Sequence, residues 1–360
     1  MIIGIEAERA NNPTKTGVEH YAKQLIIHLA KIDRVNKYRL YLRTKPEKWF
    51  YELPDNFEIK VIPFLIFWTQ LRLSWEMLVC PVDILFIPAS ALPIFHPKKS
   101  VVTIHDLAWL FYPKTFTFLN LNFLRWSTRY AVKKAWQLIA VSQATKNDIV
   151  NFYGISSNKT TVVHHGYEET KLNNYRNPNL ILPEKFVIFL STLQPRKNLE
   201  SLIDAFVSLK KEFPELPHKL LVVGKIGWKA ESILKKITEN ADAICYINYI
   251  SDIDRLYTIK KADLLVLPSF YEGFGMQILE AFSLEVPVAT SNISSMPEVA
   301  EDAAIYFDPK NVNEIKDCIK NVLMDKALAD SLKVKGMARL KDFSWEKCAY
   351  ETLKVFTKSE

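Results

Sequence analysis

The fold of this chain is decided by the stretch Leu267-Pro-Ser-Phe-Tyr-Glu-Gly-Phe-Gly-Met-Gln-Ile-Leu-Glu280. An apolar run over residues 263–267 leads into it and is typical of a buried parallel strand, and an apolar helical pattern follows. A glycine turn between a strand and a helix can bind an anion, because its backbone approaches the ligand closely and the first N–H groups of the helix have no partner within the helix. We therefore expect an anion to be bound by the backbone amides of Gly273, Phe274, Gly275 and Met276.

Two carboxylates flank this turn. Glu272 precedes it, and Glu280 lies within the helix, eight positions further on. At a rise of about 1.5 Å per residue they are roughly 12 Å apart, so they could bind the two hydroxyl-bearing ends of a ligand whose phosphates lie between them. Glu280 has mostly apolar neighbours, and a buried carboxylate needs a partner, such as the hydroxyls of a ribose. The alternative is that Glu280 is a solvated residue on the helix surface.

This element, Glu-Gly-Phe-Gly with a second Glu eight positions after the first, resembles the Glu-x7-Glu motif of the retaining glycosyltransferases of family 4. The resemblance extends over nearly the whole chain. It implies the GT-B fold, an α/β architecture of two Rossmann-like domains with doubly wound parallel sheets that face a cleft, and a C-terminal helix that crosses back to the first domain. It also implies a nucleotide-sugar donor, carried by GDP or UDP, as the co-substrate, with no metal and no other cofactor.

The order of apolar runs and helical patterns also indicates two domains, and 360 residues suffice for two cores of ordinary size. Each half of the chain alternates short apolar runs with longer helical patterns, which is typical of a parallel sheet covered by helices. The polar stretch over residues 164–183 is interpreted as the linker. We expect an acceptor-side domain over residues 1–175, a nucleotide-sugar-binding domain over residues 176–342 and a C-terminal helix over residues 343–360.

Composition and charge exclude several classes of protein. Hydrophobic residues make up 49% of the chain and charged residues 24%, as in globular proteins. No apolar run reaches ~18 residues and the N-terminus enters a strand directly, so the sequence predicts a cytoplasmic protein without a membrane span. The four cysteines are far apart and predict neither disulfides nor a zinc site. The net charge of +7 comes from residues 1–175, which favours an anionic partner such as a phospholipid surface, a phosphorylated acceptor or nucleic acid.

A second strand, loop and helix pattern lies near the N-terminus, where residues 11–21 contain one glycine, Gly17. The pattern is that of a phosphate-facing turn, and an ordinary loop is the alternative. The segment resembles the Gly-x-x-x-Tyr loop of the family, which closes over the donor diphosphate, although Gly17 alone stands for the usual double glycine. The chain has no Gly-x-Gly-x-x-Gly, which argues against a nicotinamide enzyme.

His105 and Asp106 follow the apolar residues 101–104, at the carboxyl end of a predicted strand. Open parallel sheets bind their ligands at this edge, so both side chains are candidates for the site, with a purely structural histidine as the alternative. The resemblance implies that His105 contacts the transferred sugar and that Asp106 lies beside it.

Two adjacent cations, Arg196 and Lys197, occupy a loop between a strand and a helix in the second half. They suit a diphosphate, since arginine can bind it with two hydrogen bonds and lysine acts as a point charge. A solvated surface is the alternative. The segment resembles the Gly-Thr-Leu-Glu-Pro-Arg-Lys-Asn loop of the family, with Ser191 in place of the glycine and Gln194 in place of the glutamate.

Tyr249 begins a segment that resembles the family loop near the nucleobase. The same segment contains Asp252 and Asp254, an Asp-x-Asp triplet that binds a divalent ion in the other large glycosyltransferase fold. These residues and Ser251 precede an amphipathic run, so helix capping is the preferred interpretation. Further on, Glu285 stands where the family usually has a glycine at a helix end, which predicts a strained or reshaped turn.

Residues 111–136 are rich in aromatics, and Arg125, Arg129 and Lys133 recur there at the spacing of one helix stripe. An aromatic helix with a basic stripe can rest on an anionic bilayer, and the apolar residues 64–68 with Trp75 could join it. A packing helix with a solvated face is the alternative. Nucleic acid is not predicted as a partner, because the aromatics follow a core pattern.

The sequence therefore predicts a retaining, metal-independent hexosyltransferase. The resemblance implies that Glu272 holds sugar hydroxyls, that Glu280 holds the ribose and that the departing phosphate takes the proton of a glycan or lipid-linked acceptor. The Arg-Lys-Asn loop most resembles bacterial mannosyltransferases of lipopolysaccharide or other surface polysaccharides, which favours GDP-mannose. An alternative donor is UDP-glucose or UDP-GlcNAc. The alternative functions are a nucleotide-sugar epimerase of the same fold, a binding protein and a glycosidase. The catalytic carboxylates of a glycosidase lie ~5–9.5 Å apart, which is closer than the roughly 12 Å expected here.

Overall fold

The computed structural model describes residues 1–12, 17–167, 172, 175, 177 and 179–358. The chain forms two compact units: the first is Met1–Trp109, Thr117–Gly166 and Phe343–Glu360, and the second is Leu110–Phe116 and Tyr167–Asp342. The first unit thus ends at Gly166, where the sequence placed the boundary at residue 175. Part of the predicted linker, residues 168–171, 173, 174, 176 and 178, lies outside the described residues.

The first unit is built on a seven-stranded parallel sheet. Its strands are β1 (Ile2–Glu6), β2 (Lys37–Leu42), β3 (Phe57–Val61), β4 (Ile84–Ile87), β5 (Ser100–Ile104), β6 (Gln137–Ala140) and β7 (Thr160–Val162), in the order β3-β2-β1-β4-β5-β6-β7. Its first helices are α1 (Gly17–Ile32), α2 (Ser74–Val79), α3 (Ala108–Phe111, which crosses the unit boundary), α4 (Phe118–Lys134) and α5 (Gln143–Tyr153). The central strands are buried on both faces, which explains why they read as uninterrupted apolar runs.

The second unit is built on a six-stranded parallel sheet. Its strands are β8 (Phe186–Leu190), β9 (Lys219–Val223), β10 (Ile244–Ile247), β11 (Leu264–Leu267), β12 (Val288–Ser291) and β13 (Ile305–Phe307), in the order β10-β9-β8-β11-β12-β13. Its helices are α6 (Leu199–Glu212), α7 (Glu231–Glu239), α8 (Asp252–Lys261), α9 (Met276–Ser283), α10 (Met296–Ala300), α11 (Val312–Met324) and α12 (Lys326–Leu340). The predicted architecture of two doubly wound parallel sheets is confirmed.

The strand order of each sheet fixes where a ligand can bind. In the second unit β8 lies between β9 and β11, so the chain winds outward in opposite directions from the β8–β11 pair. The loops that leave the carboxyl ends of such a pair diverge and open a crevice, which is the usual ligand site of a doubly wound sheet. These are the loops that carry the predicted cations and the glycine turn.

The last helix, α13 (Trp345–Phe356), belongs to the first unit and packs against α1. The indole of Trp345 is buried beside Tyr21 of α1 and stacks on His165. The backbone at Gly166 passes so close that an added Cβ would come within 2.1 Å of the backbone nitrogen of Trp345. The predicted return of the C-terminal helix to the first domain is therefore confirmed.

Glu285 lies in the left-handed region with φ +58°, just beyond the end of α9. The amide of Val286 donates to Ala281 O and the amide of Glu285 donates to Phe282 O, which is the hydrogen-bond pattern of a Schellman motif. Glycine is favoured at this position because a Cβ crowds the backbone there. The predicted strained turn is confirmed.

Among the described residues, no helix has both the length and the apolar character needed to span a bilayer.

Candidate active site

The loop after β8 is pinned to its neighbours by Asn198. This residue follows a short 3-10 turn, Pro195–Lys197, and adopts a left-handed conformation at the start of α6. Its side-chain amide donates to Pro268 O over 3.1 Å and to Pro309 O over 2.7 Å. Asn198 therefore ties the loop that carries the two cations to the start of the glycine turn after β11.

Glu272 is the centre of the polar network that results. Its side chain is almost fully buried, with 7% of the residue exposed. Lys197 Nζ and Ser269 Oγ both donate to its Oε1 over 2.6 Å, and Arg196 Nη1 lies 3.7 Å from its Oε2. Burial raises the pKa of this carboxyl, but the charges of Lys197 and Arg196 and the two hydrogen bonds outweigh burial and hold the pKa below its usual value. Glu272 is thus an ionised group in a fixed position.

The guanidinium of Arg196 is only partly used by the protein. Nη1 donates to Tyr271 O over 2.7 Å, whereas Nε is buried and finds no hydrogen-bond partner within the described ranges of the chain. The Oε1 atom of Gln194, two residues earlier, is in the same situation. Buried donors and acceptors are normally paired, so these two atoms mark a place where a polar ligand can complete the hydrogen bonding.

The glycine turn is held open by residues that the sequence analysis did not single out. Gly275 has φ +95° and precedes the first residue of α9, as the anion-binding turn requires. Ser295 Oγ lies 2.9 Å from Glu272 O and 3.0 Å from Phe274 O, so its single hydrogen can be shared between them, and Ser294 Oγ donates to Glu272 O over 2.6 Å. The signal available in the sequence was a pair of serines in a loop after a strand, which is too common to be specific.

Glu280 is buried, with 9% of the residue exposed, so it is not a solvated residue of the helix surface. Its Oε1 forms an ion pair with Nη1 of Arg255 on α8, a partner that the sequence analysis missed. Arg255 is therefore a partner that this buried carboxylate finds within the protein, and the contact of Glu280 with ribose hydroxyls stays a prediction. Its Oε2 is buried without a hydrogen-bond partner among the residues that the structure describes. One oxygen of Glu280 is fixed by the protein and the other can accept from a ligand.

The Asp-x-Asp triplet caps a helix, as preferred from the sequence. Ser251 Oγ accepts from Asp254 N over 3.2 Å and donates to Asp254 Oδ2, and Tyr175 donates to Asp254 Oδ1 over 2.8 Å. Asp252 is exposed and lies 3.6 Å from Nη2 of Arg255. Within the part of the chain that is described, no three His, Cys, Asp or Glu side chains come together as a set of metal ligands.

Tyr249 follows β10 and has an exposed ring. The Lys225 ammonium lies 4.6 Å from the centre of that ring, which places a cation over one aromatic face. The predicted contact of Tyr249 with a nucleobase stays a prediction.

His105 lies at the carboxyl end of β5 in the first unit. Its Nε2 lies 2.7 Å from Pro88 O, and since a carbonyl only accepts, Nε2 carries the hydrogen. Burial lowers the pKa of His105, so the ring is neutral at pH 7 and its Nδ1 can accept a hydrogen bond. Asp106 Oδ1 accepts from Ala108 N over 3.1 Å and so caps the turn that follows. Their contacts with a sugar stay predictions.

Gly17 begins α1, and an added Cβ there would meet no atom within 4 Å. The preceding part of the predicted phosphate-facing loop, residues 13–16, lies outside the described residues. The role of Gly17 toward a diphosphate therefore stays a prediction.

Helix α4 directs its large apolar side chains outward. Its buried side consists of the small residues Ser127, Thr128, Ala131 and Val132, whereas Phe118 and Leu119 are 77% and 79% exposed. Tyr130 of α4 donates to Ile94 O, and Phe123 and Phe67 line one cavity, so α4 lies beside two other segments that carry exposed apolar side chains. We call this surface the apolar face; its exposed members are Phe64, Leu65, Ile66, Phe67, Leu71, Trp75, Ile94, Phe95, Phe118, Leu119, Phe123 and Trp126.

The chain is similar to known proteins along most of its length. Residues 15–171 match the family described as Glycosyltransferase Family 4, and residues 173–339 match Glycosyl transferases group 1. O-antigen chain mannosyltransferase B of Escherichia coli is 28% identical over 271 residues, 72% of this chain and 70% of that protein. The serotype-specific mannosyltransferase WbdA of Escherichia coli is 26% identical over 274 residues, which are 73% of this chain and 34% of that longer protein.

Two solved structures show the same fold. WaaG, a glycosyltransferase involved in lipopolysaccharide biosynthesis, superposes over 100% of both chains with a TM-score of 0.73 and 14% identity. Anabaena HepE in complex with UDP-glucose superposes over 99% of both chains with a TM-score of 0.71 and 17% identity. With the two family matches, which together span nearly the whole chain, these findings identify it as a hexosyltransferase of the GT-B fold that belongs to glycosyltransferase family 4.

Proposed function

We propose that the chain transfers mannose from GDP-mannose, with retention and without a metal ion, to a glycan or lipid-linked acceptor in the synthesis of a bacterial surface polysaccharide. The observation that supports it best is the network of Arg196, Lys197 and Glu272 beside the glycine turn. Breaking the bond between a sugar and a diphosphate leaves negative charge on the phosphate, and fixed cations and helix amides stabilise that charge.

Each group has a task in this proposal. Arg196 Nε and the ammonium of Lys197 bind the diphosphate, so that protein cations supply the charge that a metal ion supplies in other enzymes. Oε2 of Glu280 accepts from a ribose hydroxyl. Glu272 holds sugar hydroxyls, and because two hydrogen bonds and the nearby charge of Arg196 already engage its carboxylate, it is a poor candidate for a nucleophile. This favours retention by front-face attack, in which the departing phosphate takes the proton of the acceptor.

GDP-mannose is proposed because both relatives named above are mannosyltransferases, one of them of the O-antigen chain. A UDP-sugar such as UDP-glucose is the second candidate, since HepE has the same fold and was solved with UDP-glucose. A thermal-shift panel of GDP-mannose, UDP-glucose, UDP-GlcNAc and ADP-glucose, with and without EDTA, separates the two. The proposal expects the largest shift with GDP-mannose and no change with EDTA; a shift that EDTA removes would contradict metal independence.

Transfer and isomerisation are distinguished by the product. Incubation with the donor alone should yield no isomerised nucleotide-sugar, whereas an epimerase of this fold would produce one without an acceptor. Addition of a mannose-ended acceptor should yield an α-linked product if the reaction retains configuration, as NMR of the anomeric proton would report. A β-linked product would overturn retention and leave the transferase assignment intact.

The apolar face supports a peripheral position on the inner face of the cytoplasmic membrane. Exposed phenylalanine, leucine and tryptophan side chains flanked by Arg125 and Arg129 can enter the interface of an anionic bilayer. Sedimentation with vesicles of phosphatidylglycerol and phosphatidylethanolamine tests this. Loss of Phe118 and Leu119 in a Phe118→Ser/Leu119→Ser variant should weaken binding by at least about tenfold, because each buried apolar side chain contributes roughly 1.5–3 kcal/mol.

The matched control is Val334→Ser/Met337→Ser, which removes two exposed apolar side chains of α12 in the second unit. This control should bind the vesicles as the wild type does. If the wild type binds phosphatidylcholine vesicles as strongly as the anionic ones, the basic residues take no part. If both variants lose vesicle binding to the same extent, the apolar face is not the contact.

A further inference from the structure

A cavity of about 420 Å³ is lined entirely by residues of the first unit. It is formed at the carboxyl end of β1 by Glu6, Glu19 of α1, residues 67–70 and Phe123 of α4. Its volume is within the range of roughly 300–1,000 Å³ that is typical of sites for small molecules. The carboxyl end of a central parallel strand is also where such sheets bind ligands.

The wall of this cavity contains an incompletely bonded polar side chain. Gln70 donates through Nε2 to Leu92 O over 3.1 Å, which fixes the orientation of its amide. Its Oε1 is buried and has no hydrogen-bond partner among the residues that the structure describes. A ligand hydroxyl would satisfy this oxygen, whereas a phosphate or carboxylate oxygen would not, because it has no hydrogen to donate.

The charges around the cavity also disfavour an anion. Among the residues that the structure describes, the cavity is lined by the carboxyl groups of Glu6, Glu8 and Glu19 and by the guanidiniums of Arg9 and Arg43. Both guanidiniums are engaged by the protein: Arg9 Nη1 lies 3.5 Å from Glu19 Oε1, and Arg43 Nη2 donates to Leu65 O over 2.6 Å. An anionic ligand would therefore face the carboxylates of Glu8 and Glu19, and an uncharged one would not be repelled.

Glu6 adds a group suited to hydroxyls. Only 5% of the residue is exposed, and burial raises the pKa of its carboxyl to about 7, against the opposing charge of Arg9. Near neutral pH this group can therefore either donate a hydrogen bond or accept one. A sugar hydroxyl can take both roles and fits either state.

The cavity is continuous with the apolar face. Phe67 and Phe123 line the cavity and are exposed members of that face, and Trp68 lines the cavity beside Phe67. Aromatic side chains at a polar cavity suit a ring that has both an apolar face and hydroxyl edges. A sugar at the end of a lipid-linked chain could thus enter the cavity while the lipid stays at the apolar face.

From these observations we infer that the cavity binds an uncharged hexose ring of the acceptor, whose hydroxyls form hydrogen bonds with Gln70 and Glu6. We also infer that the cavity discriminates against a phosphorylated sugar. This inference rests on the proposed transferase function and names the chemical class of its acceptor. It assigns acceptor selectivity to residues that take no part in donor binding.

Saturation-transfer NMR with the full chain tests the inference, with methyl α-mannopyranoside and mannose 6-phosphate as probes. The neutral sugar should bind and the phosphorylated sugar should bind at least about tenfold more weakly, as expected for an anion placed among carboxylates. Gln70→Met, which is close in volume but lacks the amide, should weaken binding of the neutral sugar by about tenfold. Ala91→Phe, which fills the cavity from its wall, should abolish it.

The matched control is Gln143→Ala, which alters an exposed glutamine on α5 and should bind like the wild type. Circular dichroism and the GDP-mannose thermal shift are recorded for every variant, so that a folding defect or a lost donor site is recognised. Equal binding of the two sugars, no sugar binding by the wild type, or unchanged binding in folded Gln70→Met and Ala91→Phe would each overturn the inference. If GDP-mannose raises the melting temperature of the wild type in these cases, the proposed function stands. If no nucleotide-sugar raises it, the proposed function fails.

Discussion

The ammonium of Lys197 lies 2.6 Å from Oε1 of Glu272, and both side chains are buried. The two residues come from the loops after β8 and β11, so this ion pair joins the diverging ends of the central strands of the second sheet. A bound diphosphate would compete with Glu272 for the same ammonium. In the proposed enzyme, Glu272 therefore keeps the cation in position until the donor arrives.

Removal of one partner from this pair should destabilise the fold. Lys197→Met leaves the Glu272 carboxylate buried with less compensation, and breaking a buried pair in this way costs about 3–5 kcal/mol. Urea unfolding should show this loss, and the GDP-mannose thermal shift should largely disappear. The Lys197→Met/Glu272→Gln double variant should lose less than the two single variants together, because the residues are coupled.

The control for that prediction is Lys185→Met, which breaks the exposed pair of Lys185 with Asp263. Exposed pairs contribute about 0–1 kcal/mol, so little change is expected. Strict additivity of the Lys197 and Glu272 variants would contradict the coupling.

Glu280→Ala should weaken donor binding and leave the fold largely intact. The variant removes the oxygen proposed to accept from a ribose hydroxyl, and a hydrogen bond to a charged group is worth about 1.5–3 kcal/mol, roughly tenfold or more in Kd. Arg255 is partly exposed and can turn toward solvent when its partner is lost. Calorimetric titration with GDP-mannose measures the effect, with Glu285→Ala as the control; unchanged affinity in Glu280→Ala would remove Glu280 from the donor site.

Glu285→Gly should stabilise the second unit. A residue with a Cβ costs roughly 1–2 kcal/mol in the left-handed region, and glycine avoids this cost. Glycine also has greater freedom in the unfolded chain, which offsets part of the gain. The free energy of unfolding should therefore rise by up to about 1 kcal/mol. Thermal unfolding measures it. Glu285→Ala keeps the Cβ and removes only the carboxylate, so an equal gain in this variant would show that the backbone is not the cause.

Glu6→Gln should gain stability relative to the wild type as the pH rises. Burial raises the pKa of Glu6 to about 7 in the folded chain, from a value of 4.5 for an unperturbed carboxyl, so the folded state holds a proton that the unfolded state has released. The wild type therefore loses stability from Glu6 between about pH 4.5 and pH 7, and the neutral glutamine does not. Urea unfolding at pH 5 and pH 8 should show a larger advantage of the variant at pH 8; a constant difference would contradict it.

Much of the fold followed from local patterns. Strands buried on both faces are necessarily apolar runs, so the runs that end at Ile104 and Leu267 could be read directly. The glycine turn at Gly275 and the strained turn at Glu285 also follow from backbone requirements that act within a few residues. The Glu-x7-Glu and Arg-Lys-Asn patterns then predicted the family, which the comparisons confirmed.

The features that were missed depend on packing between distant segments. Arg255 meets Glu280 only because α8 and α9 lie side by side. Leu110–Phe116 belongs to the second unit, where Phe111 stacks on Tyr271 and Tyr112 on Phe270, and nothing in the segment itself indicates that. The cavity beside Glu6 is likewise formed by side chains from six separate segments, so no single motif reveals it.

The close approach of Gly166 to Trp345 has a consequence for dissecting the protein. The chain leaves the first unit after Gly166 and re-enters it at Phe343, and the ring of Phe343 lies 5.7 Å from that of His164. Most of the second unit, Tyr167–Asp342, is therefore inserted between two neighbouring points of the first, and only Leu110–Phe116 joins it from elsewhere in the chain. A folded variant in which a short glycine linker joins Gly166 to Phe343 would lack the donor-binding groups and keep the cavity beside Glu6, so it would show whether a sugar binds that cavity without a nucleotide site.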